Sequence, residues 1–135
     1  MRRAAVVLAL LLGGCGAESA DLFDVRRSGA DRNANVRLVV NDGGTASCNG
    51  GEPKALPGDQ LLEARELARD LEAEAALSID LPPGPNAVLR YAVRTSAGRV
   101  AFSDTSPGRP KSFDRLAGFS SKVIEDLCGI ERTGA

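Results

Sequence analysis

Apolar and polar residues alternate along four short segments of this chain, and a period of two is typical of β-strands with one buried face. Residues 22–26 and 36–40 are the first two segments, and the polar stretch between them allows antiparallel pairing. Residues 89–94 and 100–102 flank the turn Ser96-Ala97-Gly98 and predict a β-hairpin. The sequence therefore predicts four strands in two antiparallel pairs.

Two further segments have apolar residues at the three-to-four spacing of an amphipathic helix. The first begins at Pro57, and its apolar positions are Leu61, Ala64, Ala68, Leu71 and Ala75. The second begins with Ser112 as its N-cap and ends at Gly129, and its apolar positions are Phe113, Leu116, Val123, Leu127 and Cys128. The order ββαββα predicts an α+β fold, in which a four-stranded antiparallel sheet has two helices on one face.

Two polar stretches connect these elements. Residues 41–57 show no period and contain four glycines, so we interpret them as a flexible loop with Cys48 near its middle. Residues 103–110 are polar and rich in turn-forming residues. Because loops held by a rigid scaffold carry recognition more often than helix faces do, we expect any contact surface to come from these two loops.

The N-terminal residues have the features of an export signal. Positions 2 and 3 are arginine, and an unbroken apolar run follows at 4–12, far shorter than the ~20 residues that cross a bilayer. The run ends in Leu12-Gly13-Gly14-Cys15, which resembles the lipobox of bacterial lipoproteins. That resemblance implies a diacylglycerol on the Cys15 thiol, cleavage before Cys15 and anchoring in a membrane through the lipid.

This interpretation divides the chain into a signal peptide (1–14), the lipidated cysteine with a short tether (15–20), one α+β domain (21–130) and a tail (131–135). The expected location is the cell membrane or the outer membrane, facing the periplasm or the exterior. The residue after the cysteine is Gly16 and not aspartate. In this the chain resembles lipoproteins that are delivered to an outer membrane. The alternative is an ordinary secretory signal cut nearby, which would leave Cys15 as a free thiol.

Once Cys15 is assigned to the lipid, Cys48 and Cys128 remain, and no CxxC spacing suggests a redox or zinc site. In an oxidising compartment these two cysteines can pair, closing a loop across a separation of 80 residues. The alternative is that both are reduced and separately buried.

The charge and the missing residue types exclude several function classes. Removing positions 1–14 leaves 15 of the 17 basic residues against 18 acidic ones, a net charge of −3, which is unlike a nucleic-acid binder or a polybasic membrane binder. The chain has no histidine, so the side chain most used as a general base and metal ligand is missing. We therefore predict no enzyme, no catalytic residue, no cofactor and no metal.

One segment is similar to a calcium-binding loop. Asp31, Asn33 and Asn35 alternate, and Asp42 stands at the twelfth place. The sixth place is Val36, where that loop requires glycine, and the twelfth lacks the bidentate glutamate. Since Asn and Asp are also ordinary turn residues, we interpret this segment as a turn.

A second resemblance covers residues 22–128. It rests on FDVRRSG at 23–29, on Leu56-Pro57 at the start of a helix, on LRYAV at 89–93 with its hairpin, and on the closing helix. In order and length these motifs resemble the emfourin-type domain, a small bacterial family that includes inhibitors of thermolysin-like metalloproteases. The resemblance implies an α+β fold and a protease as partner. The lipobox, the cysteine pair and the longer glycine-rich loop depart from the family pattern, and no inhibitory residue carries over.

Three functions follow as hypotheses. The first is a lipid-anchored envelope protein that acts as a small binding module for a protein partner, with a domain that resembles protease inhibitors. The second is a structural envelope component without a discrete ligand. The third is a hydrolase, for which Ser112 beside Lys111 and Ser121 beside Lys122 are the nearest candidates, although neighbours on a helix do not face each other.

Overall fold

A computed structural model of the chain describes residues 18–132. The six strands are β1 (Asp21–Gly29), β2 (Val36–Asn41), β3 (Thr45–Cys48), β4 (Lys54–Ala55), β5 (Leu89–Thr95) and β6 (Gly98–Ser103). They form one antiparallel sheet in the order β4-β3-β2-β1-β5-β6. The helices are α1 (Gly58–Asp70), α2 (Glu72–Ala76) and α3 (Lys111–Cys128).

One face of the sheet is covered by the helices. In β1 the residues Phe23, Val25 and Arg27 are buried and alternate with more exposed neighbours, and the other long strands follow the same period. The buried residues of all strands except β4 meet the apolar sides of α1, α2 and α3 in one core. The predicted α+β class, the antiparallel sheet and both predicted strand pairs are confirmed.

The predicted number of strands is wrong, because the expected flexible loop at 41–57 contains β3 and β4. Residue Leu38 of β2 pairs with Cys48, and Asn41 pairs with Thr45 across a turn in which Gly44 has φ +96°. Only Ala46 and Leu56 are buried in this stretch, so the sequence carries no recognisable period. β3 exists because β2 offers it an edge, and β4 in turn pairs with β3, so both strands are tertiary effects.

The predicted number of helices and one predicted cap are also wrong. The first helix is interrupted at Leu71, which is fully buried, although the Leu71 amide still donates to the Leu67 carbonyl at 3.0 Å. Leu67 is a core residue that the predicted stripe omitted. Pro110, not Ser112, is the N-cap of α3, and no side chain caps that helix. The predicted end at Gly129 is confirmed, since Gly129 adopts the left-handed conformation at φ 64°.

The edge of the sheet at β6 is occupied by the chain that follows α2. Ser78 has φ 52°, which turns the chain so that the Ala101 amide donates to the Ile79 carbonyl at 2.9 Å and the Leu81 amide donates to Ala101 at 2.8 Å. Glycine is required at position 98, where β6 begins close to α2, because a Cβ there would lie 2.2 Å from the Ala75 carbonyl oxygen. Residues 79–81 thus cover the β6 edge, and the opposite edge, β4, is only two residues long.

A disulfide joins Cys48 at the end of β3 to Cys128 at the end of α3, and their Cα atoms are 6.3 Å apart. Lys54 on β4 adds a hydrogen bond from its ammonium group to the Leu127 carbonyl at 3.0 Å. The predicted pairing of these cysteines is therefore confirmed. The disulfide ties α3 to β3, and the Lys54 hydrogen bond ties α3 to β4. Between residues 18 and 132, none of the helices has the length and hydrophobicity of a membrane-spanning segment.

Candidate functional site

The face of the sheet away from the helices, here called the open face, is rich in arginine. It presents Asp24 and Arg26 from β1, Arg37 from β2, Arg90, Ala92 and Arg94 from β5, and Arg99 and Ala101 from β6. The acidic residues concentrate elsewhere, since α1 and α2 together carry six acidic residues and two arginines. The chain is close to neutral as a whole, but its charges are segregated between two sides of the domain.

Two of the open-face arginines are held in ion pairs. Arg37 contacts both carboxylate oxygens of Asp24, the closest at 2.7 Å, and Arg90 lies 3.0 Å from Asp80. The hydrogen bond to Asp24 and the charge of Asp24 raise the pKa of Arg37. Asp24 is the more buried partner, with a side chain only 16% exposed. These two arginines therefore have their counter-charges within the domain.

The other three open-face arginines are exposed, and within residues 18–132 none of them takes part in an ion pair. Arg94 on β5 stands directly across from Arg99 on β6, and residues in that position have Cβ atoms about 5 Å apart. Arg26 pairs in register with Ala92, which makes it a diagonal neighbour of Arg94. Like charges directly opposite each other destabilise a sheet, so this arrangement needs an explanation.

These arginines border a depression of about 300 Å³ on the open face, here called the basin. Its floor is Ala92 and Ala101, which stand opposite each other on β5 and β6. One side is formed by Arg26 with Asp24, and the other by residues 78–80 where they run along the β6 edge. Arg94 and Arg99 lie at one end of the floor, and Asp80 reaches Arg90 beyond the other end. The basin is concave because two methyl groups lie among long side chains.

The basin suits an anionic ligand. Arginine presents a planar fork of N–H donors that fits a carboxylate or a phosphate, and two exposed guanidinium groups on facing positions can act on the same oxygen atoms. Within residues 18–132, the lining includes three arginines without ion partners and two aspartates, Asp24 and Asp80, that are engaged with Arg37 and Arg90. The geometry supports binding of an anion.

Another arginine, Arg27, is buried on the opposite face of β1. It is 2% exposed and donates to the carbonyl oxygens of Ala34 and Asn33, both at 3.0 Å, and to the Ser121 hydroxyl at 3.4 Å. Burial lowers the pKa of Arg27, and the nearby Tyr91 partly offsets that effect. Burial also raises the pKa of Tyr91, against the opposing effects of Ser121 and Arg27. Arg27 joins the β1–β2 connection to α3, which is a structural role.

Of the residues and loops selected from the sequence, those that the structure describes lie outside the basin. Cys15 falls outside the described residues. Cys48 is on β3, three strands away from β5, where its disulfide holds α3. Neither residues 41–57 nor residues 103–110 contribute to the basin. The second stretch is held by internal hydrogen bonds: the Ser103 amide donates to Ser106 Oγ at 2.8 Å, and Arg109 donates to the Ser106 carbonyl at 2.7 Å.

The segment that is similar to a calcium loop is divided between elements. Asp31 is 3.3 Å from Arg132, whereas Asp42 is 2.7 Å from Arg65 on α1. Residues from Val36 onward form β2. Within residues 18–132, no three acidic, histidine or cysteine side chains are grouped so that they could share a metal ion.

Sequence reasoning missed the basin, although part of the signal was present. The alternation in β1 and β5 places Arg26, Arg90 and Arg94 on the polar sides of their strands. The pairing of β1 with β5, two strands separated by some sixty residues of chain, could not be deduced from that alternation. The chain matches no protein-family model, no curated protein and no solved structure.

Proposed function

We propose that this protein is a lipid-anchored component of a bacterial cell envelope, and that its domain is a small binding module for an anionic ligand that occupies the basin. The observation that carries the proposal is a group of three exposed arginines around an alanine floor, none of which has an ion partner in the described part of the chain. Arg94 and Arg99 face each other on adjacent strands, while Asp24, across from Arg94 on β1, and Asp80 are ion-paired with Arg37 and Arg90. A bound anion would remove their repulsion.

A purely structural envelope component would have no need for this arrangement. Exposed arginines on a sheet are ordinarily interleaved with acids, as Arg37 and Asp24 are here. At the Arg94 and Arg99 positions the cross-strand pair is doubly basic, while the acidic excess lies on α1 and α2. An excess of arginine over aspartate on one concave surface favours recognition of an anion over a general solubilising role.

The anchor follows from the lipobox-like sequence, and β1 begins at Asp21, directly after the proposed tether. Five tether residues reach at most ~17 Å, so the domain would stay close to the membrane surface. We expect mass spectrometry of the mature protein to find an N-terminal Cys15 carrying a diacylglycerol, and a Cys15→Ser variant to remain unprocessed or to be released from the membrane. An unmodified Cys15, or cleavage at another bond, would contradict the anchor.

Anion binding is tested by NMR titration of the full mature chain with sodium acetate in neutral detergent micelles, at constant ionic strength. We expect a saturable shift of the side-chain Nε–Hε signals of Arg94 and Arg99. The double variant Arg94→Gln/Arg99→Gln should bind acetate at least about tenfold more weakly, because two charge-assisted hydrogen bonds are removed. Arg69→Gln is the matched control, since it removes the same type of charge from the exposed side of α1. A wild-type protein that shows no saturable response favours the structural alternative.

A further inference from the structure

We infer that the ligand of the basin is a monocarboxylate with a small apolar group beside the carboxylate, the chemistry of a peptide C-terminus that ends in a small apolar residue. This inference rests on the proposed function and specifies its ligand. It depends on three properties of the basin: the net charge of its lining, the distance between its charged end and its apolar floor, and its size.

The charges of the lining favour a ligand with a single negative charge. Arg26, Arg94 and Arg99 contribute three positive charges, and Asp24 and Asp80 contribute two negative ones, a net charge of +1. Because Arg37 and Arg90, just outside the lining, pair with the two aspartates, it is the position of Asp24 that limits the charge of the ligand. Asp24 stands directly across β1 and β5 from Arg94, and it is fixed there by Arg37. A dianion such as phosphate, or a polyanionic surface, would bring additional negative charge close to Asp24. A carboxylate needs only the arginine fork.

The spacing of charged and apolar groups suits the end of an extended peptide. The pair Arg94 and Arg99 is one rung, and the pair Ala92 and Ala101 is the next rung on the same face, about 7 Å farther along the strands, which is the length of about two extended residues. A C-terminal carboxylate held by the two arginines would therefore place the last residues of the peptide above the two methyl groups. Arg26 is level with this floor and can donate to a carbonyl oxygen that precedes the carboxylate by one residue.

The basin limits the size of the ligand but does not enclose it. A volume of about 300 Å³ is at the lower end of small-molecule sites and accommodates one or two small residues. Because Ala92 is exposed, the floor is open to solvent on the side away from the sheet, and a longer peptide chain could leave in that direction. A free short-chain acid and the end of a peptide share the recognised chemistry, so the test must distinguish these two sources.

The experiment compares four probes on the full mature chain in neutral detergent: N-acetyl-Ala-Ala as the free acid, the same peptide as its C-terminal amide, propionate, and inorganic phosphate. We expect the peptide acid to bind at least about tenfold more tightly than its amide and than phosphate. Propionate should shift the same arginine signals. If propionate binds as tightly as the peptide acid, the ligand is a free short acid; if it binds more weakly, the ligand is a peptide end. Both results support a monocarboxylate.

The floor is tested by filling it while leaving the arginines in place. Ala101→Leu and, independently, Ala92→Leu should weaken binding of the peptide acid at least about fivefold and leave the acetate response intact. Two variants are used so that, if one of them fails to fold, the other still tests the floor. Ala73→Leu on the exposed side of α2 is the control. Equal loss of acetate and peptide binding in folded floor variants would contradict an apolar subsite.

Several outcomes would overturn the inference without affecting the proposed function. They are an amide that binds as well as the acid, phosphate that binds more tightly than either carboxylate, and vesicles of phosphatidylglycerol that shift the arginine signals while the peptide acid does not compete. By contrast, the absence of any anion response at Arg94 and Arg99 would refute the proposed function itself. The two failures are therefore distinguishable in one set of spectra.

Discussion

Replacing Cys48 and Cys128 together by alanine is expected to lower the free energy of unfolding by about 4 kcal/mol. The cross-link spans 80 residues, and a closed loop of that length restricts the unfolded chain strongly in the chain-entropy description. Because the total stability of a small domain is only about 5–15 kcal/mol, this single change should move the midpoint of urea unfolding substantially. Reduced wild-type protein is the matched control and should unfold near the double variant.

The same variant should lose structure unevenly. β3 and β4 comprise four and two residues, and Ala46 is the one residue of these two strands that is buried in the core. Without the disulfide, they are held to α3 mainly by the bond from Lys54 to the Leu127 carbonyl. We expect amide hydrogen exchange to accelerate first in residues 45–55, before β1 and β5 are affected. A loss below about 1 kcal/mol, or uniform acceleration over the whole sheet, would contradict this role of the disulfide.

The parts of the fold that the sequence predicts are those in which local pattern and final environment agree. The alternation around Phe23 and Val25 describes a strand with one buried side, and the hairpin at 89–102 joins its two strands by a short turn. Gly129 ends α3 because the left-handed conformation is easiest for glycine. In each case the determining interactions lie within a few residues along the chain.

The parts that could not be predicted depend on neighbours distant in sequence. Thr45–Cys48 forms a strand because β2 is beside it, and the buried Arg27 looks like any polar residue at the end of an apolar segment until α3 covers it. The basin has the same origin. The arginines at 26 and 99 come from strands on either side of β5, so the sequence reveals the polarity of each position and not their common site.

The buried arginine leads to the second large effect: Arg27→Met is expected to lower the free energy of unfolding by about 3 kcal/mol. Methionine replaces the aliphatic part of the arginine side chain but lacks the guanidinium group, so it donates no hydrogen bond. The buried Ala34 carbonyl oxygen and the partly buried Asn33 carbonyl oxygen would therefore lose their donor. Arg26→Met, one residue earlier on the exposed side of the strand, is the matched control and should change stability by less than about 0.5 kcal/mol.

Tyr91 provides a readout that a loss of packing alone would not move. It is the only tyrosine and the chain has no tryptophan, so the ultraviolet absorbance of tyrosinate reports one residue. Burial raises the pKa of Tyr91 in the folded protein, while the positive charge of Arg27 counteracts that increase. We expect Tyr91 to titrate at higher pH in the folded chain than in the chain unfolded by guanidinium, and at still higher pH in folded Arg27→Met.

The pH dependence of stability follows with a definite sign. The folded state holds the Tyr91 proton more tightly than the unfolded state does, so the contribution of this group is complete below the pKa of an unfolded tyrosine. It is lost as the pH rises through the higher pKa of the folded protein, and the urea midpoint should fall over that alkaline interval. A Tyr91→Phe variant removes the titrating group and should lose this part of the decline. If Tyr91 titrates at the same pH in the folded and unfolded wild-type chains, or if Arg27→Met leaves both the urea midpoint and the Tyr91 titration unchanged, the buried arginine does not hold the β1–β2 connection against α3 in the way its hydrogen bonds indicate.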